Sequence, residues 1–229
     1  MQQHRDAVRA LFEGLRAVAF DFDGVLVDSV GVKTDALLNL YPEESDQFRA
    51  EVVEHHLEHG GVSRYEKIQE YERRRTGREP QPHDVDRLAK TFAKFVKDRV
   101  IRAPEMRGAS GLLEHLNGQL PLFVCSGTPE AELGDIVAAR GWRHHFDAVL
   151  GSPTTKAEML LNIADRLGCT TQEILLIGDS STDRDAARQS GSRFLLMSPS
   201  GRDSSGGFFA PTSIPDPEAI RLLLRSRGG

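Results

Sequence analysis

Residues 18–29 read Val18-Ala-Phe-Asp-Phe-Asp-Gly-Val-Leu-Val-Asp-Ser29: an apolar run, two aspartates one residue apart, a glycine, and a second apolar run. The leading run has the length and composition of a buried strand. It ends on two carboxylates that repel each other, which is costly unless a cation or a shared proton holds the pair together. Period-two geometry puts Asp21 and Asp23 on one side of the strand end and Phe22 on the other. Gly24 then lets the chain turn sharply. Taken alone, Asp-x-Asp is equally the signature of a turn or a helix N-cap.

Four more short apolar runs end in polar or glycine-rich residues: Leu120 to Cys125 before Ser126, Phe146 to Leu150 before Gly151, Ile174 to Ile177 before Gly178, and Phe194 to Met197 before Ser198. Apolar on both faces, they read as central strands of a parallel sheet. Helical patterns lie between them. One has Thr128 as N-cap, Pro129 at its first position and Gly141 as its stop. Others run from Thr155 to Arg166 with a stop near Gly168, from Thr182 to Gln189 with a stop at Gly191, and onward from Asp216-Pro217. Alternating strands and helices predict an α/β fold, a doubly wound, Rossmann-like parallel sheet. Ligands in such sheets sit beyond the carboxyl ends of the strands, where these polar endings converge.

The alternation breaks between Gly31 and Arg102. Only helical periodicity appears there, in Ala36-Leu37-Leu40, in Val52-Val53-Leu57 and in Val85-Leu88-Phe92-Phe95-Val96. The expected division is a catalytic core of residues 1–30 and 103–229 with an inserted α-helical cap of residues 31–102. Ser200 to Gly207 is the one Gly/Ser-rich stretch and reads as a surface loop.

The chain's 229 residues, 39% hydrophobic and 28% charged, suffice for a core and do not describe a disordered protein. A net charge of −5 gives no electrostatic reason to expect nucleic acid or an anionic membrane as partner. Arg73-Arg74-Arg75 sits among Glu70, Glu72 and Glu79 and reads as a solvated helix end. Cys125 and Cys169 form neither a disulfide framework nor a zinc spacing, which favours a reducing compartment. The start MQQHRDAVRALFEGL has no continuous apolar segment of the signal-peptide kind, and no stretch approaches a membrane span. A soluble, cytoplasmic protein is expected.

Three further strand ends carry chemistry. Ser126-Gly127-Thr128 offers hydroxyls and free backbone N–H groups ahead of a helix, an anion site. Ser126 is the functional candidate there, and Thr128 the cap. Lys156 stands at a helix start, where a cation opposes the helix dipole. Ile177-Gly178-Asp179-Ser180-Ser181-Thr182-Asp183 adds two acids, Asp179 ending a buried strand and Asp183 opening a helix.

In this order the segments DFDGVLVDS, LFVCS, Lys156 and IGDSSTD resemble the haloacid dehalogenase superfamily. They are most similar to its phosphatases with a helical cap, the group of phosphoglycolate phosphatase and beta-phosphoglucomutase relatives. The resemblance spans nearly the whole chain, insert included. It departs at Ala157-Glu158, where many relatives have proline after the lysine. The resemblance implies that Asp21 is a nucleophile forming an aspartyl phosphate. Asp23 would protonate the leaving alcohol and then deprotonate water. It further implies Mg²⁺ held by Asp21, Asp179 and the backbone carbonyl of Asp23, with Asp183 in support through water. Ser126, Gly127 and Lys156 would hold the phosphoryl oxygens.

The implied activity is magnesium-dependent hydrolysis of a small phosphorylated metabolite, a sugar phosphate among the candidates. A phosphomutase shares all four motifs and stays open. A dehalogenase needs neither Asp23 nor a metal. A receiver-like signalling domain places its phosphorylated aspartate on a later strand and fits the order poorly. A catalytically silent binder is expected to lose a motif, and none is lost. In the insert, His55, His56 and His59 include an i,i+4 pair and read as a solvated helix face. Gly60-Gly61-Val62-Ser63-Arg64 resembles a substrate-specificity loop. Arg64 either meets a substrate group or is simply exposed.

Overall fold

The computed structural model describes residues 2–198 and 213–225. Chain order runs α1 (Gln2–Leu11), β1 (Ala17–Phe20), α2 (Val30–Leu38), α3 (Asp46–Glu58), α4 (Arg64–Thr76), α5 (Pro82–Arg102), α6 (Ala109–Leu116) and β2 (Leu122–Pro129). It continues with α7 (Glu130–Ala139), β3 (Ala148–Ser152), α8 (Lys156–Leu167), β4 (Ile174–Gly178), α9 (Ser181–Ser190), β5 (Arg193–Met197), β6 (Ser213–Ile214) and α10 (Pro217–Arg225). The Gly/Ser-rich stretch 200–207 lies outside the described residues.

The six strands form one parallel sheet in the order β3-β2-β1-β4-β5-β6. The opening stretch thus supplies the central strand, with Phe20 in register with Val124 of β2 and Ile177 of β4. Alternate residues feed two cores. Val18, Phe20, Val124, Leu175 and Ile177 join the larger one, and Ala17, Ala19, Phe123, Cys125 and Leu176 the one under α8. A strand covered on both faces has no polar alternation to show, which is why these runs are continuously apolar.

β2 runs further than expected, through Pro129, pairing again with Ser152 of β3 after an irregularity past Cys125. The helix after it therefore starts at Glu130, and its N-cap is Pro129, which has no side chain to cap with. Thr128 is not a cap. It stays extended, and its hydroxyl meets Lys33, 2.8 Å away. β3 starts at Ala148 rather than Phe146, whose side chain is buried in the larger core. Helix α1 and the two-residue β6 were not expected from the sequence. Helix α6 was not expected either, while the bounds expected for α8 and α9 and the start of α10 agree within a residue or so, and Gly141, Gly168 and Gly191 all follow their helices with positive φ.

Helices α2 to α5 lie between β1 and β2, as the periodicity required. Ile68, Val85, Leu88 and Ala89 form a separate small core within this layer. The two chain crossings that lead into and out of it run side by side: Asp28 N–H donates to the Pro104 carbonyl at 2.9 Å, and Met106 N–H to the Leu26 carbonyl at 2.9 Å. The arginine run ends α4, with Arg74 on Glu70 at 2.6 Å and Arg75 on Glu72 at 2.7 Å. Among the described residues, no helix is long and apolar enough to cross a membrane.

Candidate active site

Asp21 follows β1 directly at the carboxyl edge of the sheet and is buried. Phe22 N–H donates to its carboxylate at 2.7 Å, which fixes the side chain. Lys156 reaches it from the start of α8, with Nζ 2.9 Å from the carboxylate. A capping box sets that start: Glu158 N–H donates to the Thr155 hydroxyl at 3.3 Å, and Thr155 N–H to the Glu158 carboxylate at 2.9 Å. The ammonium that opposes its own helix dipole is thus stabilised by acids facing it.

The second of those acids is Asp183. It is fully buried, pairs with Lys156 through one oxygen, and accepts from Ser180 N–H at 3.1 Å through the other. It is both the helix-start carboxylate of α9 and a member of the site. Asp179, one residue past β4, completes the group: Asp21, Asp179 and Asp183 offer carboxylate oxygens all within 4.8 Å of one another. Burial pushes the Asp21 carboxyl up to about 7 against the pull of Lys156, with Asp183 and Asp23 adding repulsion. Asp179 is raised well above the carboxylate range by burial and by Asp21 and Asp183. Lys156, although buried, is raised because both acids hold its charge. Gly24, at φ +78°, belongs to this packing, since a Cβ there would overlap the Asp179 carboxylate.

Asp23 turns to different partners. Ser29 donates to it at 2.5 Å, and Lys33, one turn into α2, forms an ion pair with it. Burial alone would raise this carboxyl, but Lys33 and the two hydrogen bonds hold it below the usual range. Lys33 also donates to Thr128, so one side chain of the insert ties together the ends of β1 and β2.

The Gly60–Arg64 loop closes over this edge. A Cβ on Gly127 would overlap the Gly61 carbonyl, so a glycine stands where loop and strand end meet. On one side of that contact is a cavity of about 330 Å³ lined by Asp23, Lys33, His56, Arg64, Lys67, Phe92, Gly127 and Asp179. Ser126 and Lys156 line a second cavity of about 320 Å³ on its other side. Ser126 is buried, and its hydroxyl accepts from Thr128 N–H at 3.2 Å.

The exposed reading of Arg64 is overturned. Its guanidinium is buried, 2.6 Å from Glu132 of α7 and 4.8 Å from the centre of the Phe92 ring. The solvated reading fails for His56, because α3 packs between α2 and α4, while His55 and His59 are half-buried. His56 is buried, and burial together with Lys67 drives its pKa down to about 3. His55 bonds the Tyr71 hydroxyl at 3.1 Å and stacks on His59 at 4.1 Å, and burial lowers it to about 4. Lys33, Lys67 and His56 were missed as wall residues. Their signal was faint: Lys33 lies one turn beyond the first motif and Lys67 one turn beyond Arg64.

Residues 15–191 match the haloacid dehalogenase-like hydrolases. The chain belongs to that family. A phosphoglycolate phosphatase of Chromobacterium violaceum is 29% identical, over 77% of this chain and 82% of its own. Among solved structures, the magnesium-bound HAD-hydrolase candidate YfnB of Bacillus subtilis superposes with a TM-score of 0.68 at 18% identity. That match covers 92% of this chain and 99% of YfnB. A beta-phosphoglucomutase candidate from Bacteroides vulgatus gives 0.73 at 16% identity over 98% of both chains. These likenesses share the parallel core and its helical cap.

Proposed function

We propose that the protein is a magnesium-dependent phosphatase that hydrolyses a small phosphorylated metabolite through an aspartyl phosphate on Asp21. The observation that carries this reading is the buried group of Asp21, Asp179, Asp183 and Lys156 at the sheet edge. Three carboxylates share one ammonium there, and burial raises two of them. That set lacks positive charge and offers only hard oxygen donors, which fits Mg²⁺. Asp21 and Asp179 would hold the ion with the Asp23 carbonyl, and Asp183 would support it. When bound, it neutralises charge on the carboxylates and on the phosphoryl group.

The steps belong to the chain's own residues. The Asp21 carboxylate attacks phosphorus, and the bond from phosphorus to the ester oxygen breaks. Asp23 gives its proton to the departing oxygen. Lys156, Ser126 and the backbone at Gly127 hold the phosphoryl oxygens as charge shifts among them. Water then attacks the aspartyl phosphate, Asp23 takes its proton, and Asp21 is regenerated with release of phosphate. Lys33 favours the deprotonated Asp23 that serves this second half. For the first half Lys33 must turn from Asp23 to oxygens of the substrate. Arg64 joins the helical layer to α7 and forms cavity wall, so its part in selectivity runs through the shape of the closed site.

The inserted layer of residues 31–102 is the part that selects the substrate, and the core of 1–30 and 103–229 the part that reacts. Relatives named as phosphoglycolate phosphatases support hydrolysis over phosphoryl return to the substrate, and for that reason 2-phosphoglycolate is the first candidate to try. The test is phosphate release from a panel of phosphate monoesters with Mg²⁺ and after chelation. Multiple turnovers that stop with EDTA are expected. Full activity in EDTA removes the metal, and no release from any ester removes the phosphatase.

A further inference from the structure

The cations that face the larger cavity differ in how they are neutralised. Lys33 is paired with Asp23 and Arg64 with Glu132. Lys67, on α4, has no carboxylate partner among the described residues. Its Nζ lies 2.8 Å from His56 Nδ1 and 3.3 Å from the His56 carbonyl, and the residue is only 3% exposed. An ammonium this deeply buried is unfavourable unless an anion meets it. With Lys67 protonated, His56 Nδ1 can only accept, which puts the imidazole proton on Nε2. That nitrogen is buried beside the Val30 backbone, with no hydrogen bond of normal geometry among the described residues. Both side chains are cavity wall.

We propose that Lys67 and His56 bind a second anionic group of the substrate, a carboxylate set a few bonds from the phosphate ester. A carboxylate has two oxygens, one for the Lys67 ammonium and one for the His56 Nε2 proton. The cavity is polarised to match. Its lining from the core carries Asp23 and Asp179, which repel a carboxylate, and its lining from the inserted helices carries Lys67 with Lys33 and Arg64. Phe92, Leu37 and Val62 close the remaining wall, and a volume of about 330 Å³ suits a short substrate. Burial, with Lys33 near, holds the Lys67 amine down to about 7, so an incoming carboxylate restores its charge. The proposal rests on the phosphatase reading and deepens it by naming the substrate class and the residues that choose it.

The test compares 2-phosphoglycolate with glycerol 3-phosphate, whose tail is neutral, on the wild type and on Lys67→Met. A lost charge-assisted contact predicts roughly a thirtyfold fall in kcat/KM for phosphoglycolate, carried by KM, with glycerol 3-phosphate changed less than about twofold. Equal losses on both esters, or no loss on either, overturn the proposal. Calorimetric titration of 2-phosphoglycolate onto Asp21→Asn, with and without Lys67→Met, reads binding without turnover. A comparably weaker Kd in the double variant is expected. No binding, or equal binding, overturns the anion site. If the wild type hydrolyses neither ester while binding still depends on Lys67, the phosphatase reading fails and the anion site stands. Lys67→Met is expected to melt no lower than the wild type. If it melts lower, Lys67→Gln, which keeps a donor without the charge, replaces it.

Discussion

Asp23 lies two residues beyond the proposed nucleophile, yet its carboxylate meets Lys33 and Ser29 rather than the Lys156 cluster. Its two proton-transfer roles separate by leaving group. Asp23→Asn keeps the shape and removes both, so turnover of an alkyl phosphate is expected to fall roughly a hundredfold or more. A nitrophenyl phosphate, whose leaving group needs no proton, should instead give a fast burst of nitrophenol and then slow turnover. Equal losses with no burst in stopped-flow would mean that Asp23 acts only by holding structure. Lys67 gives a prediction in pH. Its folded-state pKa of about 7 lies below its ordinary 10.5, so below pH 7 the fold bears the full penalty of a buried charge. Between about 7 and 10.5 the unfolded chain binds more protons than the folded one, and stability rises with pH. Lys67→Met should be more stable than the wild type near pH 6, by about 1–3 kcal/mol, with the gap closing as pH approaches 10. Denaturant midpoints across that range check it, and a gap independent of pH contradicts it.

At the scale of elements, the strand ends were legible in the sequence because each couples a run buried on both faces to a polar residue that cannot stay in the core. Asp21 and Asp179 stand at such ends and Ser126 where the pairing of β2 with β3 breaks, while Thr155 and Ser180 cap the helices whose first turns carry Lys156 and Asp183. The start of α7 was misread because Thr128-Pro129 has cap chemistry, while pairing of β2 with β3 holds those residues extended. The cavity wall from the insert was not legible. Lys33, His56 and Lys67 become neighbours only through the crossing of α2, α3 and α4, and the same residue types on a lone helix face water. The contact between the Gly60–Arg64 loop and the end of β2 depends on glycine at 127. Gly127→Ala should cut turnover by tenfold or more, since a Cβ overlaps the Gly61 carbonyl and the loop cannot seat. The melting temperature should change little, because the loop can lift away with the sheet intact. An alanine variant of wild-type activity would show that this closed contact is not the working one.

For the whole molecule, the helical layer enters and leaves the core through two chain crossings tied by backbone hydrogen bonds. The site lies where that layer meets the carboxyl edge of the sheet. Charge at this edge is unbalanced, with Asp21, Asp179 and Asp183 gathered around Lys156. Mg²⁺ should therefore raise the melting temperature in proportion to the logarithm of its concentration once above its Kd, and neutralising Asp179 as Asn should remove that rise. A melting temperature insensitive to Mg²⁺ would take the cation out of the account. The central claim is that phosphorus is transferred to Asp21 before it reaches water. It is tested most directly by acid-quenching the protein during turnover of 2-phosphoglycolate with Mg²⁺ and weighing its peptides. A single phosphoryl adduct on the peptide containing Asp21, absent from Asp21→Asn along with phosphate release, is the predicted result. Phosphate released at the wild-type rate by Asp21→Asn, with no adduct in either protein, would contradict it.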